Sequence, residues 1–164
     1  MSFADEFLPE FNDEMATLRR LLELVPADRL DWKPHAKSRS LGELATHLSE
    51  LPRWGMRFGK ETWQIGSEKP PVMKSAAEFL ARFDENVSGS RAAIAATADD
   101  AMAGEFTVIR PDGQVFFRLP RRKVLRLFLL NHIIHHRGQF TVYLRLNDVP
   151  LPSVYGPTAD KPLQ

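Results

Sequence analysis

The spacing of apolar residues predicts an all-α chain: a four-helix bundle with long connections and a minor β-hairpin before the last helix. Three observations carry this. Four stretches repeat apolar residues at intervals of three and four, with charges in the gaps. Two of them open on Ser-x-x-Glu, Ser40 to Glu43 and Ser75 to Glu78, the sequence sign of a capping box. Before the fourth, two short runs rich in aromatic and β-branched residues flank Pro111-Asp112-Gly113, as in a hairpin.

The first helix is expected over residues 3–25, with Phe7, Phe11, Met15, Leu18, Leu22 and Val25 inward and Pro26 ending it. Residues 27–39 have no sustained period and read as a loop. The second helix starts at the N-cap Ser40 and runs to about Phe58, with Leu44, His47, Leu51, Trp54 and Phe58 on one face. Pro52 predicts a kink or an early break. Residues 59–74, with Pro70 and Pro71, read as a second loop. The third helix passes through Phe79, Leu80, Phe83, Val87 and Ile94, weakened by Gly89 and the serines beside it. Residues 99–104 punctuate, and the hairpin follows. Pro120 suits the first position of a last helix reaching about Leu146, and Asn147 suits a left-handed residue after its end. The proline-rich remainder is expected to lie across the surface as ordered coil.

The 164 residues fit a single domain, which at this size buries roughly 70% of its unfolded surface. No cysteine is present, which removes disulfides, thiolate metal sites and a cysteine nucleophile together. Met1 to Glu6 is acidic and unlike a secretory signal, and Arg126 and the histidines interrupt the best apolar run, so no membrane span is expected. A net charge of +1 provides no global field to recruit nucleic acid or an anionic membrane. The expected setting is the cytoplasm, and the expected partner a small-molecule substrate.

Three of the five histidines fall in His132-Ile133-Ile134-His135-His136. A helix turns about 100° per residue, so His132 and His136 project from nearly one line, shared with Leu125, Phe128, Leu129, Gln139 and Tyr143. That line is read as the buried stripe, and buried imidazoles must be hydrogen-bonded or bind something. The i, i+4 spacing lets two rings converge on one metal ion, and His47, on the apolar face of another helix, is the natural third ligand. Taken alone, His47 would be read as a core histidine bonded to a carbonyl. Three such rings on two helices expected to pack together favour a metal site with positions open to water, of the catalytic kind. His135 could chelate with His132 at i, i+3, but it points about 60° off that line and is left out of the ligand set.

At these residues the chain resembles the DinB superfamily. His47 within Leu41-Gly42-Glu43-Leu44-Ala45-Thr46-His47-Leu48, the run from His132 to Gln139, and the ending Leu144-Arg145-Leu146-Asn147-Asp148-Val149-Pro150-Leu151-Pro152 carry the resemblance over most of the chain. It implies a four-helix bundle, often a homodimer, holding a divalent metal through His47, His132 and His136. It also implies varied activities: some relatives transfer low-molecular-weight thiols such as bacillithiol or mycothiol, while others isomerise or hydrolyse. Asn147 stands where such chains commonly have glycine. Three imidazoles suit zinc, nickel, iron or copper; zinc is the expected metal and nickel the alternative.

The expected function is therefore that of a metal-dependent hydrolase or thiol transferase, with a non-enzymatic metal- or ligand-binding stress protein as the alternative. Any thiol must come from outside the chain. Glu50, one turn after His47, is a candidate base or a solvated carboxylate. Trp54, Phe58 and Tyr143 are candidate walls of an apolar pocket or plain core. Arg121, Arg122, Lys123 and Arg126 crowd a helix start, where the dipole disfavours cations, and read as an anion site or a solvated face.

Overall fold

The computed structural model describes residues 2–57, 59–66 and 72–162. Phe58, Pro70 and Pro71 lie outside them. Helix α1 spans Phe3–Leu22 and α2 spans Leu41–Glu50, continuing as a 3₁₀ segment over Leu51–Arg57. Strand β1 is Thr62–Gln64, α3 is Ala76–Ala96 and the short α4 is Asp99–Ala103. Strands β2 (Glu105–Ile109) and β3 (Val115–Pro120) form the expected hairpin. The last helix has three parts: α5 at Arg121–Val124, a π-helical turn over Leu125–Asn131, and α6 at His132–Leu146.

Around the bundle α1 packs on α3, α3 on α2, α2 on α6, and α6 on α1. Consecutive α1 and α2 therefore stand at opposite corners, which is why a long connection joins them. That loop is ordered by α2 itself: the amides of Leu41 and Gly42 donate to the carbonyls of Trp32 and Leu30, each at 2.9 Å. Helix α2 opens on the predicted box, with Glu43 N donating to Ser40 Oγ (3.1 Å) and Ser40 N to Glu43 Oε2 (2.6 Å). Ser75 caps α3 through Glu78 N, but the Glu78 carboxylate turns to the Ser75 hydroxyl and the Lys74 amide, so the second box is half formed.

Pro52 has no N–H to continue an α ladder, and the helix tightens there into 3₁₀ turns. The carbonyls of Ser49 and Pro52 are taken instead by buried Asn86 (2.9 Å) and buried Ser90 of α3. Gly55 and Gly89 let the two segments approach: a Cβ on Gly55 would fall 2.6 Å from Ser90 Cβ, and one on Gly89 would fall 2.8 Å from the Met56 sulfur. The small residues of α3 thus serve a contact between helices rather than merely weakening a helix.

Several expectations are corrected. The second predicted loop contains β1, which pairs in parallel with β2 and makes the hairpin a three-stranded sheet. Residues 99–104 contain a helical turn. Asn147 is not left-handed; Asp148, one position later, carries φ +58°. The basic cluster at the start of the last helix is dispersed: Arg121 is buried, Arg126 ion-pairs with Glu10 at 2.6 and 2.8 Å, and Arg122 lies over the Phe3 ring. Among the described residues no helix is long and apolar enough to cross a membrane.

Candidate metal centre

The buried face of α6 is Ile133, Arg137, Phe140 and Leu144, one residue round from the expected stripe. A turn closed by i→i+5 bonds takes one residue more than an α turn. Leu125 and Leu129 therefore lead into the core line through Ile133, while His132 and His136 are carried to its edge. There both rings are half-buried and face α2.

Helix α2 contributes His47, half-buried, with its ring centroid 5.3 Å from that of His132 and 4.6 Å from that of His136. One nitrogen from each of the three rings lies within 4.8 Å of the others. His132 Nε2 and His136 Nε2 are 3.0 Å apart. Two nitrogens bound to one ion at about 2.0–2.1 Å stand roughly 3–3.4 Å apart, so this pair is already at ligand spacing.

The remaining ring nitrogens are specified by their neighbours. Gln139 Oε1 stands 2.7 Å from His136 Nδ1. An amide oxygen only accepts, so the proton belongs on Nδ1 and the lone pair on Nε2. His132 Nδ1 is buried without a well-formed hydrogen bond, yet the Phe128 backbone lies near enough to favour a proton on that ring. Burial is the main force on all three rings. With the Arg39 charge and the neighbouring imidazoles it lowers His47 to about 3; with His136 foremost among the charges it lowers His132 to about 4; and it also depresses His136. At neutral pH the trio is uncharged and offers lone pairs, the state a cation requires.

The other sequence candidates divide. His135 is exposed beside His136, with ring centroids 4.8 Å apart, and is outside the trio. Glu50 does not reach the histidines; its carboxylate is nearly buried between Arg53 (3.6 Å) and Arg82 (3.3 Å). Tyr143 meets Trp32 edge-on and donates to the Arg39 carbonyl (3.4 Å), while Trp54 packs on Trp63 and Phe128. Beside His47 a cavity of about 500 Å³ opens between Arg39, Glu50, Arg53, Trp54, Arg57 and Trp63.

Sequence reasoning misses Arg137. One position after His136, it is 1% exposed and reaches the Glu14 carboxylate (2.5 Å), the Glu14 carbonyl (3.3 Å) and the Tyr155 hydroxyl, which itself donates to Glu14 Oε1 (2.8 Å). Only its place in the repeat 133, 137, 140, 144 signals an inward direction.

Fold and site together define a four-helix-bundle protein with a three-histidine cluster between the second and last helices. The DinB family model matches residues 1–162, and the chain belongs to that family. It is 28% identical over 160 residues to the uncharacterized protein YrdA of Bacillus subtilis, covering 96% of this chain and 90% of that one. A DinB-like protein from Bacillus cereus has a similar fold (TM-score 0.72, 22% identity, 92% of this chain and 97% of that chain). So does YfiT from Bacillus subtilis, described as a probable metal-dependent hydrolase with an unusual four-helix bundle topology (TM-score 0.65, 17% identity, 91% of each chain).

Proposed function

We propose that this chain is a metal-dependent hydrolase or thiol transferase in which His47, His132 and His136 hold one divalent ion, zinc in preference to nickel. The observation that carries the reading is the 3.0 Å approach of two imidazole Nε2 atoms with a third neutral ring beside them. Without a cation, such an approach needs a proton shared between the two nitrogens. With a cation held by the trio, His132 would carry its proton on Nδ1, where the Phe128 backbone lies, as ligating histidines usually donate their second nitrogen to a carbonyl.

His47, His132 and His136 would hold the ion, and the chemistry it would supply there is a lowered pKa for water or a low-molecular-weight thiol acting as nucleophile. The chain's own part is to keep three rings neutral, fix the His136 tautomer through Gln139, and leave the cavity beside His47 for a small-molecule substrate. The description of YfiT as a probable metal-dependent hydrolase supports this reading. We also propose a cytoplasmic homodimer that binds neither nucleic acid nor membrane. The near-neutral charge supports the second part, and exposed Leu127, Val142 and Leu146 along the last helix support self-association, which sedimentation tests.

The test is metal analysis of untagged protein, followed by assays with an ester panel and with a low-molecular-weight thiol plus an electrophile. About one ion per chain is expected, falling close to zero in His132→Ala and His136→Ala at unchanged helix content. Unchanged metal content in those variants would overturn the site. Retained metal with no turnover in either assay would favour the non-enzymatic metal-binding alternative.

A further inference from the structure

The cavity beside His47 has a charge pattern that the metal proposal does not use. Its two carboxylates are already engaged. Glu43 closes the α2 capping box and meets Lys33 at 3.6 Å, and Glu50 lies between Arg53 and Arg82. Three guanidinium groups, Arg39, Arg53 and Arg57, line the same space. Arg53 leans on Glu50, and Arg57 stacks over the Trp63 ring at 4.2 Å, so both belong to the wall.

Arg39 is different. Its side chain is exposed at the mouth and forms no ion pair among the described residues. Its backbone is nonetheless fixed, by the N-cap that follows at Ser40 and by the Tyr143 hydroxyl on its carbonyl. Arg39 shares the lining of the cavity with His47, which sets it beside the proposed metal ligands. The same cavity is lined by apolar and aromatic side chains, Leu51, Trp54, Trp63 and Val72, and the Trp63 indole N–H is buried without an acceptor. A space of about 500 Å³ suits a small molecule rather than a polymer.

We infer that the cavity is the substrate seat and that it selects a small organic carboxylate, with the apolar body against Trp54 and Trp63 and the carboxylate on Arg39. A planar guanidinium matches a carboxylate bidentately, and an excess of cations in a half-enclosed cleft favours an anion over its neutral analogue. The inference rests on the proposed hydrolase or transferase for its chemistry, but not for the binding itself.

The experiment titrates 3-phenylpropionate and its neutral amide into metal-loaded and chelator-stripped protein, read by calorimetry and by quenching of tryptophan fluorescence. The acid should bind at least about tenfold tighter than the amide in both forms, the ratio expected of one hydrogen bond between charged groups. Arg39→Gln should abolish that preference without changing amide affinity, and Arg39→Lys should restore part of it. Equal binding of the two probes, no saturable binding at millimolar concentration, or a preference that survives Arg39→Gln would overturn the inference. So would a preference that vanishes on chelation, which would put the carboxylate on the ion. Failure of the metal reading appears separately, as absent metal in untagged protein with the acid preference intact.

Discussion

At His136 the position of one proton decides which nitrogen faces the other rings, and Gln139 fixes it. Replacing Gln139 with Leu should weaken metal binding about 10- to 100-fold, as loss of such a partner does elsewhere, measured by competition with a chromophoric chelator. The depressed pKa values give a second prediction, for metal-free protein. His47 and His132 titrate near 3 and 4 when folded against an ordinary 6.5, so the unfolded chain takes up protons first as pH falls. Stability present above about pH 6.5 is lost as pH descends toward 4, roughly 1–2 kcal/mol between pH 7 and pH 5 after allowing for the half-exposed rings. Urea unfolding of stripped protein at the two pH values checks this; equal midpoints would contradict it. Which histidines gather was legible from the i, i+4 spacing of His132 and His136 and from the place of His47 on a second helix, even though the inward stripe of the last helix lies one residue round from the expected one. Arg39 was not, because a residue before an N-cap in an aperiodic loop has no directional pattern to read.

The elements show why helix positions were readable and their phase was not. Capping boxes and the Pro52 break are local chemistry and can be seen in a few letters. The wide turn over Leu125–Asn131 has no such sign, since one surplus residue in an apolar run of leucines looks like any other. Its effect is large: it moves the histidine pair from the core line to the edge facing α2. Deleting exposed Leu127 takes out the surplus residue and should give a straight helix with His132 and His136 in the same phase, leaving both the far-UV helix signal and the metal content unchanged. Strand β1 was missed for a different reason, because three residues are too few for alternation to register. Where the 3₁₀ segment after α2 touches α3, Gly55→Ala should cost about 1–3 kcal/mol through overpacking against Ser90. Chemical denaturation would measure it.

At the scale of the whole molecule, Arg137, Glu14 and Tyr155 tie α6 to α1 and to the coil that follows the bundle. Removing one partner of a buried ion pair leaves the other charge stranded, so Glu14→Ala should cost about 3–5 kcal/mol. The double change Glu14→Leu with Arg137→Met should recover most of that loss, as a double-mutant cycle would show. A basic residue next to the histidines reads as surface in sequence, and its acidic partner is 123 positions away, so this tie was invisible until the bundle was assembled. Tyr155 and Glu14 are separated further still, by 141 positions. Contacts between such distant positions must overcome loop-closure entropy before they reward it, and they form late. The nascent chain thus has no half-built cradle to offer a cation. On the proposed metal reading, loading would follow completion of the fold, and a chelator in the refolding buffer should leave the refolding rate untouched while hastening the reverse reaction.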